Sequence, residues 1–242
     1  MTDTPTPAAG RVEPRWGLGD AAAGYALAIV GSSIVSSIVL AATGRTPDEQ
    51  DELPLSLVAV TQLGLWVGLL GVPWLVTRLK GNGLVADLRL RFQAHDVWRG
   101  GAIGVALQLV LIPLLYWPFL ELLDKSADDL EGPARELTDR ADGALGVILL
   151  VLIVGVGAPI VEEIFYRGFL QGALRKRGIP VVASIAISST IFAASHFQAL
   201  QFPALLIFGA VAGTLAHRSG RLGPAITAHV AFNMVTVVVL LA

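Results

Sequence analysis

The hydrophobic residues of this chain fall in long blocks that are separated by short polar connections. The blocks extend over about residues 21–42, 55–77, 101–123, 143–174, 179–200, 202–216 and 222–242. A helix of about 20 apolar residues is long enough to span the hydrocarbon core of a bilayer. The pattern therefore predicts an all-α fold, a polytopic integral membrane helical bundle with about seven transmembrane helices.

The composition agrees with this pattern and narrows the chemistry. Hydrophobic residues make up 54% of the 242 residues and charged residues only 15%, and the mean hydropathy is +0.69. The chain contains no cysteine, which excludes disulfides, thiolate zinc sites and cysteine nucleophiles. A net charge of −2 gives no electrostatic reason to expect a nucleic-acid partner.

The sign of the charge alternates from one connection to the next. Basic residues collect in 78–99, 175–177 and 217–221, whereas the connections 43–54 and 124–142 are acidic. Basic loops stay on the cytoplasmic side of a membrane protein. We therefore expect a multi-pass protein of the cell (plasma) membrane with its N-terminus in the cytoplasm and its C-terminus outside.

Polar content divides the chain into three parts. Residues 1–20 are rich in proline and small polar residues, which predicts a flexible cytoplasmic tail. Residues 21–142 form N-terminal transmembrane helices without motifs. Residues 143–242 form the third part and hold most of the strongly polar side chains that lie within apolar segments.

Three of these polar residues lie together in the fourth apolar block. Glu162, Glu163 and Arg167 are costly there, because a charge in hydrocarbon disfavours insertion by about 2.5 kcal/mol or more. Glu163 and Arg167 are four residues apart, which favours an ion pair on one helix face. Glu162 points about 100° away from Glu163, so the two carboxylates need not share a role.

The later blocks add His196, His229 and Asn233. Counted from the basic connections at about 1.5 Å per residue, these residues and Glu162 all fall inside the hydrocarbon core. Each has a structural explanation when taken alone, as a hydrogen-bonded interior histidine, a packing amide or a buried ion pair. Together they provide what peptide hydrolysis needs, which is a base for water and donors for an oxyanion.

The same residues form three motifs that resemble the CPBP family of intramembrane proteases. The motifs are E-E-x-x-x-R at Glu162, Glu163 and Arg167, F-x-x-x-H at Phe192 and His196, and H-x-x-x-N at His229 and Asn233. This family contains the type II CAAX prenyl endopeptidases and the bacterial bacteriocin-processing and self-immunity (Abi) proteins. The resemblance extends from about residue 143 to the C-terminus and implies that residues 143–242 form a CPBP/Abi-like catalytic core.

The resemblance implies a helical bundle around an intramembrane catalytic cavity, and it implies a role for each motif residue. Glu162 would activate water with the help of His196, and His229 and Asn233 would stabilise the oxyanion. Glu163, Arg167 and Phe192 would support the geometry of the site. The implied partners are the lipid bilayer and a peptide or protein substrate, either prenylated or bacteriocin-like.

Three alternatives remain open at this level. Glu162, His196 and His229 could together bind zinc, although Asn233 is a poor zinc ligand and favours a mechanism without a cofactor. The protein could instead be a non-catalytic membrane scaffold or immunity protein. It could also be a transporter that uses these residues as a proton relay, although no inverted repeat supports that alternative.

Overall fold

In the computed structural model, which describes residues 12–242 apart from the side chains of Gln50 and Asp51, the chain folds into eight main helices. They are α1 (Leu18–Thr43), α2 (Leu55–Lys80), α3 (Ala94–Leu123), α4 (Ala127–Asp139), α5 (Gly143–Lys176), α6 (Val181–Ala194), α7 (Phe202–Ser219) and α8 (Gly223–Leu241). A 3₁₀ helix (Pro47–Glu52) and a one-turn helix (Leu84–Asp87) lie in the connections. The described residues contain no strand, so the predicted all-α class is confirmed.

Five of the helices in the described part are long and apolar enough to cross a membrane, namely α1, α2, α3, α5 and α8. Helix α6 has 14 residues and rises about 21 Å, less than the roughly 30 Å of the hydrocarbon core. Helix α7 has 18 residues and ends with His217 and Arg218 in its last turn. The polytopic helical bundle is thus confirmed, and the count of seven passes stays a prediction.

Proline positions explain why three of the long helices widen. Helices α2, α3 and α5 each contain a π-helical segment that ends two residues before a proline. The segments are Val67–Gly71, Leu107–Leu111 and Val151–Gly157, and the prolines are Pro73, Pro113 and Pro159. Helix α5 also has a second π-helical segment, Glu163–Leu170, which no proline follows closely. A proline has no N–H and its ring clashes with the carbonyl four residues earlier, so widening the helix accommodates it. At Pro159 the helix therefore continues instead of starting anew.

Helix α8, which carries His229 and Asn233, packs closely against α3. A Cβ added to Gly104 would lie 2.1 Å from the carbonyl oxygen of Ala228, and one added to Gly100 would lie 2.6 Å from that of Pro224. Glycines let helix backbones approach closely in membrane bundles. The motif-free N-terminal half therefore positions a helix of the candidate site.

An ion pair fastens the same two helices at one end. The buried carboxylate of Asp96, in the first turn of α3, accepts a hydrogen bond of 2.9 Å from Nε of Arg221, just before α8. The backbone N–H groups of Leu222 and Gly223 also donate to carbonyls in the connection before α3. The start of α8 is therefore fixed by side-chain and backbone contacts.

The described part of the predicted flexible tail differs from the prediction. Of residues 1–20, residues 1–11 lie outside the described residues, and α1 begins at Leu18. Trp16 is only 4% exposed, its indole N–H donates to Asp87, and Nζ of Lys176 lies 3.8 Å from its ring centroid. A buried tryptophan removes a large apolar area from solvent, which outweighs the polar composition around it.

Candidate active site

A buried ion pair and a histidine form the centre of the site. Nη1 of Arg167 lies 2.9 Å from Oε1 of Glu163, and both side chains are fully buried. Nδ1 of His229 lies 2.8 Å from the same carboxylate oxygen. Glu163 therefore joins α5 to α8 and holds the imidazole of His229 in one orientation.

The surroundings of Arg167 are mostly aromatic. Its guanidinium carbon lies 4.3 Å from the ring centroid of Phe192 and 5.9 Å from that of Tyr166. Its contact with Glu163 has the distance but not the geometry of a hydrogen bond, and its three guanidinium nitrogens lack a hydrogen-bond partner among the described residues. Cation–π attraction, about 2 kcal/mol when desolvated, offsets part of this cost.

Glu162 differs from its neighbour in exposure and in contacts. Its side chain keeps 16% of its surface exposed, whereas Glu163 keeps none. Oε2 of Glu162 lies 3.7 Å from Nε2 of His229, and the carboxylate makes no hydrogen bond with another described residue. The two adjacent carboxylates thus differ in their contacts. Glu163 is bound by Arg167 and His229, whereas Glu162 is free to bind a small molecule such as water.

His196 lies where α6 has ended, and its contacts define its tautomer. Its Nδ1 is 2.8 Å from the backbone oxygen of Phe192, which also accepts a hydrogen bond from Oγ of Ser195. A carbonyl oxygen can only accept, so Nδ1 carries the proton. The neutral ring then has its lone pair at Nε2, where it can accept a proton or a hydrogen bond.

Phe192 is the common contact of both histidines. Its fully buried ring lies 4.8 Å, centroid to centroid, from the ring of His196 and 5.7 Å from that of His229. The ring of Phe208 in α7 lies 4.5 Å from His229 on another side. Aromatic packing therefore restricts both imidazoles, and α6 and α7 contribute this packing.

Asn233 donates from Nδ2 to the backbone oxygen of Val154, at 2.8 Å. Val154 lies in the π segment before Pro159, where Ala158 donates to Ile153 in the five-residue spacing of a π helix. In the same spacing the donor for Val154 would be Pro159, which has no N–H. The Asn233 amide thus satisfies a carbonyl that the proline leaves without its helical partner, and its second N–H remains for another acceptor.

The structure brings most of the predicted residues together, whereas Asn233 instead bonds to the backbone of Val154. Glu162, Glu163, Arg167 and His229 form one chain of contacts, and Phe192 links His196 to this chain through its ring. Sequence reasoning missed Phe208, Tyr166 and Ser195, of which Tyr166 donates to Ser195 at 2.8 Å. Aromatic and hydroxyl residues are common in apolar helices, so no pattern marked these three.

The donor set does not fit a metal centre. No group of three His, Cys, Asp or Glu side chains among the described residues is arranged to hold a metal ion. The Nδ1 atoms of the two histidines face Glu163 and the Phe192 carbonyl, so only Nε2 of each ring could serve as a ligand. The zinc alternative of Glu162, His196 and His229 is therefore not assembled, and we derive no step through zinc.

Together these features define a multi-pass helical membrane protein that has a cluster of glutamate, arginine and histidine side chains among its helices. Residues 144–235, which contain all three motifs, match the family model described as type II CAAX prenyl endopeptidase Rce1-like. The match covers less than half of the chain, and it confirms the resemblance that the motifs indicated. It supports an intramembrane endopeptidase in general terms. The comparisons with curated proteins and with solved structures gave no match.

Proposed function

We propose that the protein is an intramembrane endopeptidase in which Glu162 activates a water molecule to hydrolyse a peptide bond. The observation that carries this proposal is the difference between the two glutamates. Glu163 is fully buried and bound by Arg167 and His229, whereas Glu162 is partly exposed and makes no hydrogen bond with another described residue. A general base needs such a free carboxylate within reach of the reacting water.

The reaction follows from the proton and electron balance. Glu162 takes a proton from water, and the water oxygen bonds to the carbonyl carbon to form a tetrahedral oxyanion. The C–N bond then breaks, and Glu162 returns the proton to the leaving amine. His196 assists by accepting a hydrogen bond from the same water at Nε2, the nitrogen that its tautomer leaves with a lone pair.

The oxyanion donors in this proposal are Asn233 and His229. Asn233 has one N–H beyond the bond to Val154. His229 can donate at Nε2 only as an imidazolium, because its Nδ1 proton faces Glu163. The imidazolium would also balance the charge of the site, where two carboxylates otherwise face one guanidinium.

The proposed substrates are membrane-associated or lipidated peptides and proteins, either prenylated or bacteriocin-like. Support comes from the family match and from the position of Glu162 inside a helix long and apolar enough to cross a membrane. A general base at that depth could act on peptide bonds of substrates that lie within or next to the bilayer. We further propose the plasma membrane as the location, with the N-terminus in the cytoplasm.

The test is cleavage by the full-length protein in liposomes, followed by mass spectrometry on a prenylated and an unprenylated form of one peptide. We expect Glu162→Ala and His196→Ala to lose cleavage by at least about 100-fold, as is usual for a lost acid–base group. The matched control is Glu121→Gln, because Glu121 is exposed on α3. Unchanged cleavage by Glu162→Ala contradicts the proposal.

A chelator treatment of the same preparation addresses the zinc alternative. We expect cleavage to persist after the chelator, with metal analysis showing less than one zinc per protein. Loss of cleavage that returns when zinc is added would instead favour the metal-dependent mechanism.

A further inference from the structure

A cleft lies at the end of α2, away from the candidate active site. It has a volume of about 590 Å³, and its lining includes Trp74, Arg78, Asn82, Val85 and Arg91. The lining thus comes from the last turns of α2 and from the basic connection that follows it. Neither the three motifs nor the proposed reaction uses any of these residues.

The net charge of the cleft is positive. Arg78 and Arg91 are exposed, and neither forms an ion pair with another described residue. Among the nearby carboxylates, Asp20 pairs with Lys80, and Asp87 accepts hydrogen bonds from Trp16 and Asn82 and forms no ion pair with Arg78 or Arg91. One carboxylate therefore lies near two guanidinium groups, which leaves the cleft with a net positive charge. Two guanidinium groups beside one cleft provide planar, multidentate donors of the kind that phosphate groups prefer.

The rim of the cleft is apolar and faces outward. Trp74 is 50% exposed, and its ring centroid lies 5.7 Å from the guanidinium carbon of Arg78. Val85 of the lining is also exposed, and so are Leu75 and Leu79, which lie outside the lining at the same end of α2. Because α2 is long and apolar enough to cross a membrane and ends in this basic connection, we expect these side chains to lie where a bilayer passes from hydrocarbon to headgroups.

We propose that this cleft binds an anionic phospholipid. Arg78 and Arg91 hold the headgroup phosphate, and the acyl chains lie along the exposed apolar side of α2 and the Trp74 ring. Basic pockets beside transmembrane helices recognise anionic headgroups in this way. A net negative lipid is favoured over a zwitterionic one, because the latter brings a cation of its own towards two unpaired guanidiniums.

The experiment uses the full-length protein, first delipidated in detergent and then titrated with short-chain phosphatidylglycerol or phosphatidylcholine. Bound lipid is counted by native mass spectrometry. We expect phosphatidylglycerol to bind at least about tenfold more tightly than phosphatidylcholine, and Arg78→Gln/Arg91→Gln to lose this preference. Arg78→Lys/Arg91→Lys should keep most of it, because the positive charges remain.

The matched control is Arg99→Gln. Arg99 belongs to the same basic connection and is exposed, but its guanidinium lies over Trp98 and outside the cleft. This variant should bind phosphatidylglycerol like the wild type. Equal binding of the two lipids by the wild type, or an unchanged preference in the double glutamine variant, overturns the proposal. Displacement of phosphatidylglycerol by an equal concentration of glycerol phosphate would also overturn it, since the site would then bind a free anion.

Discussion

At the scale of single residues, the ion pair of Glu163 and Arg167 can be tested by removing one charge at a time. We expect Glu163→Gln to lower the free energy of unfolding by about 3 kcal/mol, because Arg167 would keep a buried charge without its carboxylate. Denaturant unfolding in detergent measures this change. The double variant Glu163→Gln/Arg167→Met should be more stable than Glu163→Gln alone, and equal stability of the two contradicts the prediction.

The contact of Asn233 with Val154 makes a second prediction at this scale. Asn233→Leu should lower the free energy of unfolding by about 1–3 kcal/mol, because it leaves a partly buried carbonyl without a donor. Pro159→Ala should recover part of that loss in the Asn233→Leu background, because alanine supplies the missing backbone N–H.

Thermal unfolding of the two single variants and the double variant forms the required mutant cycle. The control is Thr236→Val on the same helix, since the Thr236 hydroxyl bonds only to its own helix, at 3.5 Å. Strictly additive effects of the Asn233 and Pro159 substitutions would show that the amide does not compensate for the proline.

At the scale of helices, the close approach of α3 and α8 makes the next prediction. Gly104→Ala should lower stability by about 1–3 kcal/mol and reduce cleavage, because its Cβ would meet the carbonyl oxygen of Ala228, next to His229. Gly101→Ala is the control on the same helix, since a Cβ there has no atom within 4 Å. Equal effects of the two substitutions on unfolding and cleavage contradict the prediction.

The spacing of residues along the sequence explains which contacts were predicted correctly. The pairing of Glu163 with Arg167 follows from a separation of four residues on one helix. The same separation predicted the contact of Phe192 with His196, although His196 lies two residues beyond the end of α6. The long apolar blocks likewise predicted the helices, with differences of a few residues at most ends. The spacing of residues along the sequence can predict such features because each of them forms within a short stretch of the chain.

Contacts between distant parts of the chain could not be predicted in this way. Nothing in the spacing joins Asp96 to Arg221, and α3 begins at Ala94 instead of near residue 101 because its first turn is stabilised by that buried carboxylate. The burial of Trp16 likewise depends on Lys176 and Asp87, which are far away in sequence. Such contacts arise only when the helices are assembled.

At the scale of the whole molecule, the absence of native cysteines makes the predicted topology directly measurable. A membrane-impermeant maleimide should label Ala242→Cys in intact cells and should label Glu13→Cys only after lysis, because the basic connections favour the cytoplasm. Both positions are exposed. Labelling of Glu13→Cys in intact cells would contradict the orientation.

The most direct test of Glu162 as the base is proteolysis in ¹⁸O-labelled water by the wild type, Glu162→Gln and the Glu121→Gln control. Glutamine has nearly the shape of glutamate but cannot accept the proton from water. We predict one new peptide carboxyl end with ¹⁸O for the wild type and the control, and no such product above background for Glu162→Gln. Cleavage by Glu162→Gln at the wild-type rate would contradict the proposed mechanism.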